Sequence, residues 1–446
     1  MSERLERVAE VARREMAELG VPGVAIGVLH EGNGEHVGLG VNNVDNPQPV
    51  DHRTMFRVAS ISKTFTATAA MRLVEQGKLD FDAPLRRYIP DLRLADADAT
   101  ERVTLRHTLN HYGGWKGDVF DDFGRGDDAL ARYVAHMAEV PQWTKLGTVW
   151  SYNNAGFVLA GRAIELAYGK PFEQAVRELL LEPLGMSRTS YFAEDLIPMR
   201  VSVGHTTLDD GPHVTTPWVL PRAGNAMGGL VTCVDDLFRW ARFQMGDGQG
   251  LLKRASLDHI QGALAAAGSM ADWIGVGWQS LDVGGTRVVQ HGGAWLNQFS
   301  TFRMVPERGF AAIVLTNGNR GPEVHGAVSN AALKEYLGVA SKRGPLPEMS
   351  EEALRPYVAR YDGALSDVEL TLKNGGLVLD VVRRENYLNA QPEAPMPPPV
   401  RVALFANDRL FAQDPPSKGT QGDFLRDQNG NIEWFRWGGR IHRRRS

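Results

Sequence analysis

Phe56-Arg57-Val58-Ala59-Ser60-Ile61-Ser62-Lys63-Thr64-Phe65-Thr66-Ala67 is the stretch from which the rest of this chain can be read. Positions i and i+3 of a helix project from one face, so Ser60 and Lys63 meet if a helix starts here. A serine hydroxyl is a weak nucleophile near neutral pH and needs a base beside it. A lysine serves as that base only if burial or neighbouring positive charge lowers its pKa. The run Phe65 to Gln76 is rich in alanine and stops at Gly77, which predicts a helix. Ser60 then sits at or just before its N-terminus, where free amides favour developing negative charge. A four-residue motif also arises by chance, so its partners decide its meaning.

The 446 residues suit two domains rather than one. With 43% hydrophobic and 23% charged residues the composition is that of a globular protein with a sizeable core. A net charge of -4 gives no basic footprint for nucleic acid. The cluster Arg440, Arg443, Arg444 and Arg445 reads as a solvated tail. One cysteine, Cys233, permits no internal disulfide and reads as a small core residue. No run reaches the roughly 20 apolar residues of a membrane span, and the N-terminus lacks the apolar core of a signal peptide. A cytoplasmic location is the expectation, with no membrane partner.

Leu5, Val8, Ala12, Met16 and Leu19 mark an amphipathic first helix. Beyond the Gly20-Val21-Pro22-Gly23 break, Val24 to Leu29 reads as a buried strand and Val37 to Val41 as its hairpin partner. From Leu79 to Val231 the texture is helical with Gly/Asp-rich loops, clearest over Ala155 to Tyr168 and Phe172 to Leu181. Strand signals return at Thr286 to Gln290, Gln298 to Met304 and Phe310 to Leu315, before a helix from Val324 to Leu337. The prediction is an α/β sheet domain with a helical insertion over 1–340. A Pro/Gly linker covers 341–350. Over 351–446, short alternating runs such as Val368 to Leu372, Leu377 to Val382, Val400 to Phe405, Arg409 to Ala412 and Ile432 to Trp437 predict a small all-β barrel.

Further residues supply Ser60 with partners. Tyr152-Asn153-Asn154 precedes a helix, and a phenolate beside an ammonium is held at lower pKa, so Tyr152 can share a proton relay with Lys63. The Asn154 amide suits Lys63 or a substrate carbonyl. His291-Gly292-Gly293 is read as ending a strand where the glycines admit a substrate backbone, and the amides of Ala294 and Ser60 would form an oxyanion hole.

Together with Tyr152-x-Asn154 and His291-Gly292-Gly293, the stretch around Ser60 resembles the serine β-lactamase/penicillin-binding-protein superfamily. More narrowly it is similar to its class C-like esterase and D-aminopeptidase branch (peptidase S12 type). Thr104 to His107 with His111 and Gly114, and Ala226 to Leu230 with Asp235, Asp236, Leu237 and Trp240, match further framework segments. The resemblance spans about Val24 to Leu337, and the region after Glu351 resembles the lipocalin-like domain that some members carry. It implies Ser60 as nucleophile, Lys63 as its base, and Tyr152 as the acid/base at the leaving group and acceptor. His291 stands where lactamases carry the lysine of Lys-Thr-Gly, which points away from a dedicated β-lactamase.

Two departures from the family pattern stand out. His111-Tyr112-Gly113-Gly114 replaces the usual His-Thr-Ser-Gly, and Trp295-Leu296-Asn297 is bulkier than usual, suggesting a distinctive acyl pocket. Trp115 is a further candidate for substrate contact. Ser62 points to another face and is read as structural. His107 and His111, spaced i,i+4, read as framework hydrogen bonders rather than metal ligands. Asp118, Asp121, Asp122, Asp127 and Asp128 form an acidic, solvated loop bordering the site, which would suit an amine-bearing substrate.

The resulting expectation is an enzyme without cofactor or metal, acting on a small-molecule or peptide-like acyl substrate as an esterase, amidase or D-amino-acid-type peptidase. A transacylase or penicillin-binding-protein-type thioesterase that cyclises peptides is the alternative within the resemblance. A non-catalytic acyl-binding scaffold is the alternative outside it.

Overall fold

The computed structural model describes residues 1–218, 220–340, 347, 349–383 and 398–445. Most of the 341–350 segment read as a linker lies outside the described residues. An eight-stranded antiparallel sheet is built from the two ends of the N-terminal unit. Its order is Asn33–Gly40, Gly23–His30, Phe310–Thr316, Gln298–Val305, Thr286–Trp295, Gln279–Val283, Ala271–Ile274 and Ala265–Ala267.

Side-chain alternation explains the layering. Val24, Ile26 and Val28 join Phe310, Ala312 and Val314 in a cluster against the helices Glu3–Leu19 and Gly321–Leu337. Ala25, Leu29, Ala311, Ile313 and Leu315 face the opposite way, into the main core under the helical insertion. A strand packed on both faces must be apolar throughout, which is why Val24 to Leu29 carries no polar residue. The first helix starts on a Ser2 cap that accepts from the Leu5 amide and ends at Gly20 with φ +64°.

The helix Ser62–Glu75 runs through the middle of the core, preceded by a 3-10 turn over Ala59–Ile61. Its threonines are satisfied internally. Thr64 Oγ1 donates to the Ile61 carbonyl, Thr68 Oγ1 to Thr64, and Thr66 Oγ1 to Ala226. The helix Asn154–Tyr168 packs beside it. The expected helix over Phe172 to Leu181 is a short α-turn, Phe172–Val176, continued as a π-helix over Arg177–Leu181.

Eight antiparallel strands from Ala359–Asp362 to Arg440–Arg444 follow each other in chain order and close into a barrel through the pair Tyr361↔Arg444. Tyr361, Val368, Leu370, Leu379, Leu410, Phe424 and Phe435 fill it. The arginines read as a solvated tail are therefore a correction: Arg440–Arg444 is the closing strand. Ile441 and His442 are both buried, so the strand is covered on both faces there, and Arg443 beyond them is exposed. Among the described residues no helix is long and apolar enough to cross a membrane.

Candidate active site

Ser60 lies in the turn feeding the central helix, after Ala59, whose φ of +44° is unusual for a residue with a side chain. The helix then places Lys63 Nζ 3.0 Å from Ser60 Oγ, as the spacing predicts. Lys63 is wholly buried, and its Nζ donates to the Met227 carbonyl at 2.5 Å. Burial pushes its pKa well below the usual lysine value; the positive charge of Arg440 adds to this and Asp118 opposes it. Ser62 serves the turn, donating to the Ala59 carbonyl and accepting from the Leu230 amide.

Tyr152 lines the same cavity as Ser60 and stands close enough for the serine to favour its ionised form. The Lys63 amine stands 5.1 Å from its ring centroid, and His111 stacks on that ring at 4.5 Å. The expected lowering of the Tyr152 pKa is overturned. Burial raises it above the ordinary phenol value, against the smaller lowering effects of Ser60 and Arg440. Burial lowers the Lys63 pKa as well, so it disfavours the ammonium that would hold a phenolate.

Of the two partners expected for Asn154, Lys63 is not the one it meets. Its Nδ2 donates to Asp118 Oδ1 at 2.6 Å, and neither Lys63 nor Ser60 engages it. Asp118 in turn takes Arg440 Nε at 2.6 Å and Nη2 at 3.1 Å. The first residue of the acidic loop is thus buried and paired, not solvated. Asp122 and Asp127 line a separate groove of about 970 Å³.

His291 lies inside the strand Thr286–Trp295 rather than at its end. Pairing with Gln298–Val305 continues to Trp295, while pairing with Gln279–Val283 stops at Gln290. The sheet edge therefore opens at His291, which accounts for the misread boundary. His291 Nδ1 sits 2.7 Å from the Gly292 carbonyl, leaving buried Nε2 without a protein partner. Burial, aided by Lys63, pushes its pKa down to about 3. Gly293 packs against the nucleophile, since a Cβ there would lie 3.0 Å from the Ser60 amide.

These residues border one cavity of about 730 Å³. Ser60, Tyr152, Asn154, His291, Gly292, Gly293, Ala294, Trp295 and Asn297 all line it. Ala59, Leu220 and Trp295 form an apolar cluster on one side, with Phe120 5.8 Å from Trp295 ring to ring. Leu296 and Asn297 form the hairpin turn with φ of +43° and +60°, and the Asn297 amide is spent on Thr206 and Thr215. Trp115 is not part of the cavity; it is buried and donates to Asn153 Oδ1. His107 and His111 bond to Thr104 and Asn153 as framework histidines.

The Beta-lactamase family model matches residues 8–335. The chain belongs to the beta-lactamase family. Within it, the chain is 33% identical to Penicillin-binding protein 4 of Amycolatopsis lactamdurans over 330 residues, 72% of this chain and 87% of that one. It is 33% identical to Esterase EstB of Burkholderia gladioli over 217 residues, 46% of this chain and 54% of that one. The crystal structure of SurE superposes with a TM-score of 0.77 at 25% identity, covering 99% of both chains. That coverage includes the barrel as well as the family's α/β unit.

Arg440 is the site residue that sequence reasoning missed, and Asp118, placed in a loop bordering the site, was read as solvated rather than paired. Arg440 sits 322 positions from Asp118 in the chain, and neither belongs to a recognisable motif. Met227, whose carbonyl holds Lys63, lay in a matched framework segment without an assigned role.

Proposed function

We propose that this protein is a serine acyl-transfer enzyme that carries its substrate's acyl group on Ser60. The observation that carries the reading is a wholly buried lysine amine 3.0 Å from a serine hydroxyl, with a phenol beside the same serine. One Lys63 N–H is committed to Met227, so the lone pair of the neutral amine is free to accept the Ser60 proton. The Ser60 oxygen bonds to the carbonyl carbon, and the amides of Ser60 and Ala294 receive the oxyanion. Tyr152 protonates the leaving group as the carbonyl–leaving-group bond breaks, and recovers a proton from Lys63. In the second half, Tyr152 passes its proton to Lys63 and takes one from the acceptor as it attacks the acyl carbon, and Lys63 returns its proton to the Ser60 oxygen as the acyl–Ser60 bond breaks.

Asn154 and His291 shape the wall facing the acyl group, and Gly292 and Gly293 admit its backbone. Water as acceptor makes the enzyme an esterase, amidase or D-amino-acid-type peptidase. The apolar cluster of Ala59, Leu220 and Trp295 favours a large apolar acyl group. In this reading residues 1–340 form the catalytic unit and 351–446 the barrel unit.

A second reading, transfer to an amine, is favoured by Arg440, a barrel arginine lining the cavity and suited to the carboxylate of a peptide-like acceptor. The test uses an activated aryl ester of a bulky acyl group with and without a competing amine. Ester consumption that needs Ser60 supports the first reading, and an amide product dominating over acid selects the second. No ester consumption by folded protein overturns both.

A further inference from the structure

The barrel is not an appendage beside the site. Its last hairpin, Ile432–Trp437 with Arg440–Arg444, runs along Trp150-Ser151-Tyr152. Arg436 Nε donates to the Trp150 carbonyl at 3.1 Å, the Tyr152 amide to Gly439 at 2.8 Å, and the Ile441 amide to Ser151 Oγ at 3.3 Å. The segment bearing the tyrosine is thus held by the barrel from the residues before it. At the tip, Arg440 stands 5.0 Å from the Tyr152 ring centroid and closes bidentately on Asp118, whose Oδ1 also takes Asn154 Nδ2.

We infer that Arg440 and Asp118 are positioning residues of the acyl-transfer site, an ion pair across the two units that orients Tyr152 and Asn154 and sets the field at Lys63. The inference rests on the reading of Ser60 and Lys63 given above. Three observations carry it. The pair is buried on the Asp118 side, with 2% side-chain exposure against 28% for Arg440. One carboxylate serves both the barrel arginine and the asparagine of the Tyr-x-Asn motif. Both Lys63 and Arg440 face the Tyr152 ring, at 5.1 and 5.0 Å, so the amine and the guanidinium lie within about 10 Å of each other.

The signs of the two charges separate a field effect from a merely structural one. The groups around Lys63 are Tyr152, His111, His291, Arg440 and Asp118, and burial holds the first three neutral. Only Arg440 and Asp118 then carry charge towards it, and they act oppositely. A unit charge about 10 Å away at an effective dielectric near 20 moves a pKa by about 1. Because Lys63 must be neutral to accept a proton, the rate rises with pH through its pKa. Removing the Arg440 charge raises that pKa and moves the acid limb to higher pH. Removing the Asp118 charge moves it to lower pH.

The experiment follows the pH dependence of Ser60 labelling by a fluorophosphonate in the full chain, with thermal melting as the fold check. Arg440→Gln should move the acid limb up by about one pH unit and Arg440→Lys should restore it. Asp118→Asn should move it the other way, and the double variant Arg440→Gln/Asp118→Asn should return near wild type. Arg445→Gln, which removes an exposed barrel arginine paired with Asp362, is the control and should leave the limb in place. Limbs that stay put in the folded variants, or move together in one direction, overturn the inference while wild-type labelling at Ser60 upholds the reading beneath it. Absence of wild-type labelling overturns that reading instead.

Discussion

Adding one methyl group at Gly293 should cripple the chemistry, while the same change at Gly292 should not. An ideal Cβ on Gly293 would stand 2.0 Å from the Val58 carbonyl oxygen, 2.5 Å from Ser300 Oγ and 3.0 Å from the Ser60 amide. A relaxed carbon–oxygen contact is about 3.3 Å, so the strand and the serine turn must separate by about 1 Å. Neither wall gives way easily, because Ser300 Oγ already donates to the Val58 carbonyl at 2.8 Å. On Gly292 the nearest neighbour is the Ser300 carbonyl at 3.4 Å, an ordinary contact. A misplacement of about 1 Å, or loss of one oxyanion donor, costs about 10²-fold or more in rate. Gly293→Ala should therefore lose about 10²-fold in kcat/KM, together with roughly 1–3 kcal/mol of stability from overpacking. Gly292→Ala should lose less than about 10-fold. Hydrolysis of an aryl ester, read beside urea denaturation, separates the two effects. A folded Gly293→Ala variant within threefold of wild type would refute the placement of this strand against Ser60.

Lys63→Met and Tyr152→Phe should each lower kcat by about 10²-fold or more, the scale of losing a general acid or base, measured by single-turnover acylation. Phe120→Ala should reduce the preference for a bulky apolar acyl ester over acetyl by about 10-fold, read from the kcat/KM ratio. Burial holds His291 and His325 down to about 3 and His442 to about 4. Each stays neutral when folded but takes a proton when unfolded below about pH 6.5. Their contribution is therefore intact above pH 6.5 and is lost as pH falls towards the folded values. Between pH 7.5 and 5.5, urea denaturation should show roughly 1 kcal/mol lost for each histidine, and His325→Gln should abolish its share.

The nucleophilic core was legible because its information is local. Ser60 and Lys63 share one helical turn, and Tyr152 and His291 sit in short motifs whose composition survives any loop length. The two-faced burial of Val24 to Leu29 likewise writes itself into an unbroken apolar run. What escaped was set by tertiary contact. Arg440 and Asp118 look like solvated charges until a barrel strand brings them together. Ala265–Ala267 carries none of the β-branched residues that announce a strand, and only sheet pairing makes it one. Trp115 sat beside the right loop, but its indole is turned inward to Asn153. The Tyr152 pKa escaped because burial, which no local motif reveals, raises the phenol and lowers the Lys63 ammonium together.

The most direct test of the account is intact-protein and peptide mass spectrometry after fluorophosphonate treatment. The account predicts one adduct, on the peptide bearing Ser60, absent from Ser60→Ala and slowed in Lys63→Met. An adduct on Ser62, or none on folded wild-type protein, would contradict it.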